Sequence, residues 1–203
     1  MERSEQPRLI LASQSAVRLA LLRRAGLTVE AHPAHIDEAE TKASSLAEGA
    51  GASDTALLLA ALKAARIARR EPEALVVAAD QILVCEGRWF DTPDGLAAAR
   101  EQLLALRGRT HRLVTAVLCQ AGDTVLWRHV DEPRLTMRVF SEPFLDAYLA
   151  AESEAVTNSV GAYRLEGFGA QLFDRIEGDY FSVLGLPLLP LLGFLRQRGV
   201  LAG

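Results

Sequence analysis

The chain reads as an α/β protein built on a mixed, twisted sheet flanked by helices. Two observations carry that reading. Strand-like and helix-like segments alternate through the first third of the sequence, the pattern of crossover connections. The middle instead holds tight turns, "EGR" and "AGD", each between two apolar runs, which is how antiparallel hairpins are written. A purely parallel sheet would carry no such hairpins.

In chain order, "RLILA" is a short strand. "SQSAVRLALLRRAG" is a helix with serine at its start and Gly26 at its stop. "LTVEAHP" returns as a strand, and the polar "HIDEAETKAS" reads as a loop. Asp54 can cap a helix running to about Arg70. "LVVAADQILVC" is a strand, turned by "EGR" into "WFDTP". A helix follows near residues 94–106, then the strands "THRLVTAVLCQ", "TVLWRHV" and "RLTMRVF". Ser141 caps a helix from about Glu142 to Ala151. The glycine-rich run after it reads as loop and short strand, and a last helix, introduced by Pro187 or Pro190, ends near Arg198.

At 203 residues the chain fits a single domain spanning 1–203, long enough for a substantial core. Half of it is hydrophobic and 24% is charged, an ordinary globular balance. A formal charge of −4 gives no electrostatic footprint for nucleic acid or an anionic membrane, so neither is expected as a partner. The start lacks the apolar core of a signal peptide. The most apolar run, "VLGLPLLPLLGFL", is too short and too proline-broken to span a bilayer. A cytoplasmic protein is expected. Cys85 and Cys119 stand apart in apolar strands and read as buried free thiols.

One strand poses a chemical problem. In "LVVAADQILVC" Asp80 and Gln81 interrupt a run suited to full burial. An unpaired buried carboxylate costs several kcal/mol, so Asp80 should be paired, bound to a metal or open to a cleft. A second signal is Lys63. The chain has 22 basic residues, yet Lys42 and Lys63 are its two lysines. Lys63 lies four residues from both Leu59 and Ile67, on a stripe that should face inward. It reads either as a lysine snorkelling at the core edge or as a point charge aimed at phosphate. A third is "LILASQSAVR", where free helix-start N–H groups, the Ser13 and Ser15 hydroxyls and Arg18 together suit an anion. An ordinary serine cap is the plainer alternative.

Asp37, Glu38, Asp80, Asp91 and Glu166 are the candidate acids. Hard cations such as Mg²⁺ bind through one or two carboxylates plus substrate phosphates. His32, His35, His111 and His129 lack metal-ligand spacing and read as structural or exposed. The sequence contains neither a phosphate-binding P-loop nor a G-x-S-x-G elbow.

Taken together, "SQSAVR", "IDEAE", "ALKAARIA", "AADQ", "LRGRTH" and "GAYRLEGFGAQLFDRIEGDYFSVLGLPL" resemble the motifs of the Maf family over nearly the whole chain. The resemblance implies a Maf/ITPase-like fold, with two lobes around a nucleotide cleft, and usually a homodimer. It implies hydrolysis of a nucleoside triphosphate to the monophosphate and pyrophosphate with a divalent cation, Mg²⁺ or Mn²⁺. By position it assigns Asp80 as catalytic base and metal-linked carboxylate, and Glu38 as a metal-site acid. Ser13, Ser15, Arg18 and Lys63 would engage phosphates, with Lys63 also counted as catalytic.

Three further positions vary with substrate in that family, and here they are Val17, Gln81 and Glu166. Gln81 and Glu166 match the members acting on 7-methyl-GTP, whereas Val17 replaces their aromatic residue. Glu166 also suits the base physically, since a carboxylate accepts from guanine N1–H and N2–H and complements a cationic methylated ring. Ala16 and Val17 depart from the opening motif, and Thr92 stands where the family usually carries lysine. Thr92 and Val17 favour an alternative in which a weakened homologue regulates cell division or septum formation. The presence of Asp80, Lys63, Arg18 and Glu38 favours the enzyme.

Overall fold

A computed structural model describes residues 8–202. Part of the reading against a leader falls on residues 1–7, outside that range. Strands are β1 (Leu9–Leu11), β2 (Glu30–Ala31), β3 (Leu75–Cys85), β4 (Arg88–Phe90), β5 (Thr110–Ala121), β6 (Thr124–Asp131), β7 (Arg134–Met137) and β8 (Phe173–Glu177). Helices are α1 (Ala16–Arg24), α2 (Glu38–Ala47), α3 (Ala52–Ala68), α4 (Gly95–Leu106), α5 (Glu142–Glu152), α6 (Tyr180–Val183) and α7 (Leu188–Gln197). The sheet runs β2-β1-β3-β5-β7-β8, with β4 added to β3 and β6 to β5. The expected mixed sheet is borne out: β1 pairs in parallel with β2 and β3, and β5 pairs antiparallel with β6 and β7.

The chain folds as two compact units. The first comprises Met1–Asp80, Thr115–Asp131 and Tyr180–Gly203. Within it β1 and the first half of β3 are covered on both faces, so their alternating side chains enter two different cores. Leu9, Leu11, Leu75, Val77 and Ala79 point to one, shared with Leu22 and with Leu191 and Leu195 of α7. Ile10, Val76 and Ala78 point to the other, shared with Ala60, Ala64 and Ile67 of α3. Helix α1 begins where the Ser15 hydroxyl accepts from Arg18 N at 3.3 Å. It ends at Gly26, whose φ of +85° lets Leu27 N donate to Leu22 O, closing the last turn.

The second unit comprises Gln81–Val114 and Glu132–Asp179. Its β3–β4 hairpin turns on Glu86 and Gly87, both at positive φ as a two-residue turn of this hand requires. The middle strand β7 pairs antiparallel with β5 and β8. Ser141 caps α5, accepting from Phe144 N. His111, Tyr163 and Phe173 cluster as aromatic neighbours in the interior.

Three local expectations are corrected. "HIDEAETKAS" is not a loop but the start of α2, where Asp37 Oδ1 accepts from Glu40 N at 2.9 Å. Asp37 and Glu40 stand at the acid-x-x-Glu spacing of a capping box. Asp54 does not cap α3; Gly51 occupies that position, and Asp54 lies in the first turn, where a carboxylate favours the helix dipole. "LTVEAHP" yields just two strand residues, because Pro33 has no N–H with which to extend the ladder. Cys85 and Cys119 are buried free thiols, as read from sequence.

Candidate functional site

Strand parity decides where Asp80 points. It continues the even-numbered series of β3, Val76 and Ala78, and so faces α3 instead of α7. On α3, Lys63 continues the inward stripe of Leu59, Ala60, Ala64 and Ile67, and it is buried with 7% of its surface exposed. The two meet: Lys63 Nζ donates to Asp80 Oδ1 at 2.6 Å. The ammonium also lies 2.8 Å from Glu38 Oε1 at the first turn of α2. One amine thus serves two carboxylates.

Asp80 is 3% exposed, and its second oxygen, Oδ2, is buried without a hydrogen-bond partner. Burial pushes its carboxyl above the usual carboxylate range, with Lys63 and Arg18 pulling the other way and Glu38 adding to the rise. An oxygen so placed suits a hard cation or a reacting water. Glu38 offers a second carboxylate to such a cation. Among the described residues no group of three or more His, Cys, Asp or Glu could hold a metal, so further ligands would come from phosphate and water.

Arg18 is drawn inward. Its Nε donates to Gly185 O at 2.7 Å, and its Nη1 to Ala79 O at 3.0 Å and Ser13 Oγ at 3.4 Å. The side chain therefore ties the β1–α1 turn to β3 one residue before Asp80. Burial lowers its pKa, against Asp80 and Glu38, which raise it. Its Nη2 donors are left for an anion, and Ser13 Oγ also accepts from Ser15 N. Ser15 is occupied as the α1 cap, the plainer of its two readings.

Glu38, Lys63, Asp80, Arg18 and Ser13 are therefore brought together within the first unit. Val17, 36% exposed, points away from the core on α1. Asp37 is spent as a helix cap. In the second unit, Gln81 is half-buried on β3, and Glu166 follows Arg164, whose Nε lies 3.7 Å from Glu166 Oε1. Sequence reasoning missed Glu152, a half-buried acid that accepts from Phe168 N at 3.1 Å and from Arg164 Nη1 at 3.2 Å. Nothing local in the sequence marks it, because its partners lie 12 and 16 residues onward. A groove of about 590 Å³ lined by Leu57, Leu58, Val125 and Trp127 contains none of the candidate residues. Its walls are mainly apolar, with Asp54 and Arg128 among the lining side chains.

A family model described as Maf-like protein matches residues 8–198. The chain is 59% identical over 194 residues to a nucleoside triphosphate pyrophosphatase of Granulibacter bethesdensis, covering 96% of this chain and 98% of that one. It is 50% identical over 192 residues to a protein of the same name from Paramagnetospirillum magneticum, with 95% and 99% covered. It is also 47% identical over 197 residues to a 7-methyl-GTP pyrophosphatase of Rhizobium etli, with 97% and 99% covered. The resemblance read from the motifs is borne out.

Proposed function

The chain belongs to the Maf-like protein family, and from that premise we propose that it hydrolyses a nucleoside triphosphate to the monophosphate and pyrophosphate. The observation that carries the chemistry is Asp80 Oδ2, a buried carboxylate oxygen with no partner beside a lysine that already holds Oδ1. Lys63 fixes the carboxylate, so Oδ2 is free to orient a water and accept its proton. Arg18 Nη2 and the Lys63 ammonium supply positive charge to the triphosphate, where negative charge grows on the α-phosphate and the leaving pyrophosphate. Ser13 adds a neutral donor. A divalent cation, Mg²⁺ or Mn²⁺, held by Asp80 and Glu38 would neutralise charge on the phosphates and the attacking oxygen.

For the base, Gln81 and Glu166 support 7-methyl-GTP, and relatives bearing that name are 47% identical. Val17 leaves the ring without an aromatic stacking partner. The matched relatives carry enzyme names, and the retained Asp80–Lys63–Glu38 constellation speaks against a non-enzymatic regulator of division. We also read the protein as a cytoplasmic homodimer. No helix among the described residues is long and apolar enough to cross a membrane, and light scattering at a monomer mass would overturn the dimer.

A panel of nucleoside triphosphates including 7-methyl-GTP, assayed for pyrophosphate with and without EDTA, tests the reading. Pyrophosphate release from at least one of them, abolished by chelation, is expected. Asp80→Asn should lower turnover at least about a hundredfold while the protein stays folded, since Asn cannot act as an anionic base. Orthophosphate as the first product, or activity that survives EDTA, would overturn the mechanism.

A further inference from the structure

Glu166 does not stand alone in its loop. Arg164 lies between two carboxylates, with Nη1 donating to Glu152 Oε2 at 3.2 Å and Nε 3.7 Å from Glu166 Oε1. The two acids differ in environment: the Glu152 side chain is 9% exposed and the Glu166 side chain 30%. Glu152 is further fixed by the backbone of its neighbours, accepting from Phe168 N at 3.1 Å. A largely covered carboxylate with two donors is a rigid anchor, and a guanidinium is a planar fork. Holding one edge of that fork therefore fixes where the other edge points.

The surrounding chain is equally constrained. A Cβ at Gly169 would come within 2.4 Å of the Arg164 carbonyl oxygen, and one at Gly167 within 3.0 Å of Glu152 Oε1. Tyr148 Oη donates to Ala162 O, and Ser159 Oγ to Tyr163 O, just upstream.

We propose that Arg164, anchored by half-buried Glu152, is the positioning residue that orients Glu166 toward the base and thereby sets nucleotide selectivity. This rests on the reading of Glu166 as the base-facing acid. An unanchored Glu166 would sample several rotamers, each losing the paired acceptor geometry that a guanine N1–H/N2–H edge needs. Arg164 touches neither phosphate nor reacting atoms in this role, so its loss should appear in KM and not in kcat.

The test measures kcat and KM for 7-methyl-GTP and UTP in Arg164→Met, Arg164→Lys, Glu152→Gln and Glu166→Gln, with the Arg164→Met/Glu166→Gln double variant. Arg164→Met should raise KM for 7-methyl-GTP about threefold to tenfold with kcat and the UTP constants nearly unchanged, the scale of a half-buried charged contact. Glu152→Gln, which keeps an acceptor for Phe168 N, should shift selectivity the same way by less. Arg164→Lys should recover part of the loss. The double variant should be no worse than Glu166→Gln alone, because both act through one carboxylate. If Glu166→Gln changes selectivity while Arg164→Met and Glu152→Gln do not, the positioning role is overturned and the base assignment stands. Equal losses on both nucleotides would reduce Arg164 to a structural residue and overturn it too. A silent Glu166→Gln overturns the base assignment and this inference with it.

Discussion

Lys63 Nζ donates to Asp80 Oδ1 across 2.6 Å, joining the inward stripe of α3 to the one charged position inside β3. The pair answers the question that the strand raises: Asp80 is both paired and chemically open, through different oxygens. Removing one member of a buried pair leaves the other charge uncompensated. Lys63→Met should therefore lower stability by about 3–5 kcal/mol in urea unfolding. Adding Asp80→Asn should cost much less than in the wild-type background. Additive losses, within about 0.5 kcal/mol, would mean that the two groups are not coupled in solution.

Acid should weaken the second unit through His111. The imidazole is 2% exposed, with Nε2 against Tyr163 Oη at 2.8 Å and Nδ1 without a partner. Burial lowers its pKa from 6.5 to about 4. Between those values the unfolded chain holds the extra proton, so stability present above pH 6.5 is lost as pH falls toward 4, by about 3 kcal/mol when complete. His111→Gln, which keeps an amide for Tyr163, should flatten that limb when urea midpoints are compared at pH 7 and 4.5. An unchanged slope would assign acid sensitivity elsewhere.

Two glycines should respond in opposite directions to alanine. At Gly169 the new Cβ meets the Arg164 carbonyl oxygen at 2.4 Å, a backbone atom that cannot rotate away. Gly169→Ala should cost about 1–3 kcal/mol. Gly193 lies inside α7 with nothing within 4 Å of its Cβ position, and Gly193→Ala should stabilise by about 0.5–1 kcal/mol. Thermal melts of both variants check the pair, and a tolerated Gly169→Ala would show that the loop is looser than described.

Thr92, exposed between β4 and α4, tests the cost of the missing lysine. If this position faces the phosphates, Thr92→Lys should raise kcat/KM at least about tenfold, the worth of one charge-assisted contact. Arg88 is a poor substitute, because its guanidinium sits 4.6 Å from the Phe90 ring centroid on its own hairpin. Arg88→Ala should accordingly be nearly silent in the same assay. No gain with Thr92→Lys would remove this loop from the phosphate site.

Much of the site was legible because it is written in local periods. Lys63 stands at helical spacing from Leu59 and Ile67, and Asp80 on the even face of β3, so each could be placed before any contact was known. The motif marks Glu38, but the polar run around it reads as a loop and masks the Asp37–Glu40 cap that starts α2. The Arg18 contacts to Ala79 and Gly185 span 61 and 167 residues, and no local rule reaches that far. The same holds for Glu152, whose value depends entirely on where a later loop returns.

The scarcity of lysine gives the burial of Lys63 a practical use. Amine-reactive reagents have two side-chain targets in this chain, half-buried Lys42 on α2 and Lys63 under its two carboxylates. Acylation requires a free amine, which Lys63 presents only when its contacts to Glu38 and Asp80 break. Its slow labelling, followed by peptide mass, would therefore act as a clock for opening events at the site, with Lys42 as the internal reference for reagent strength.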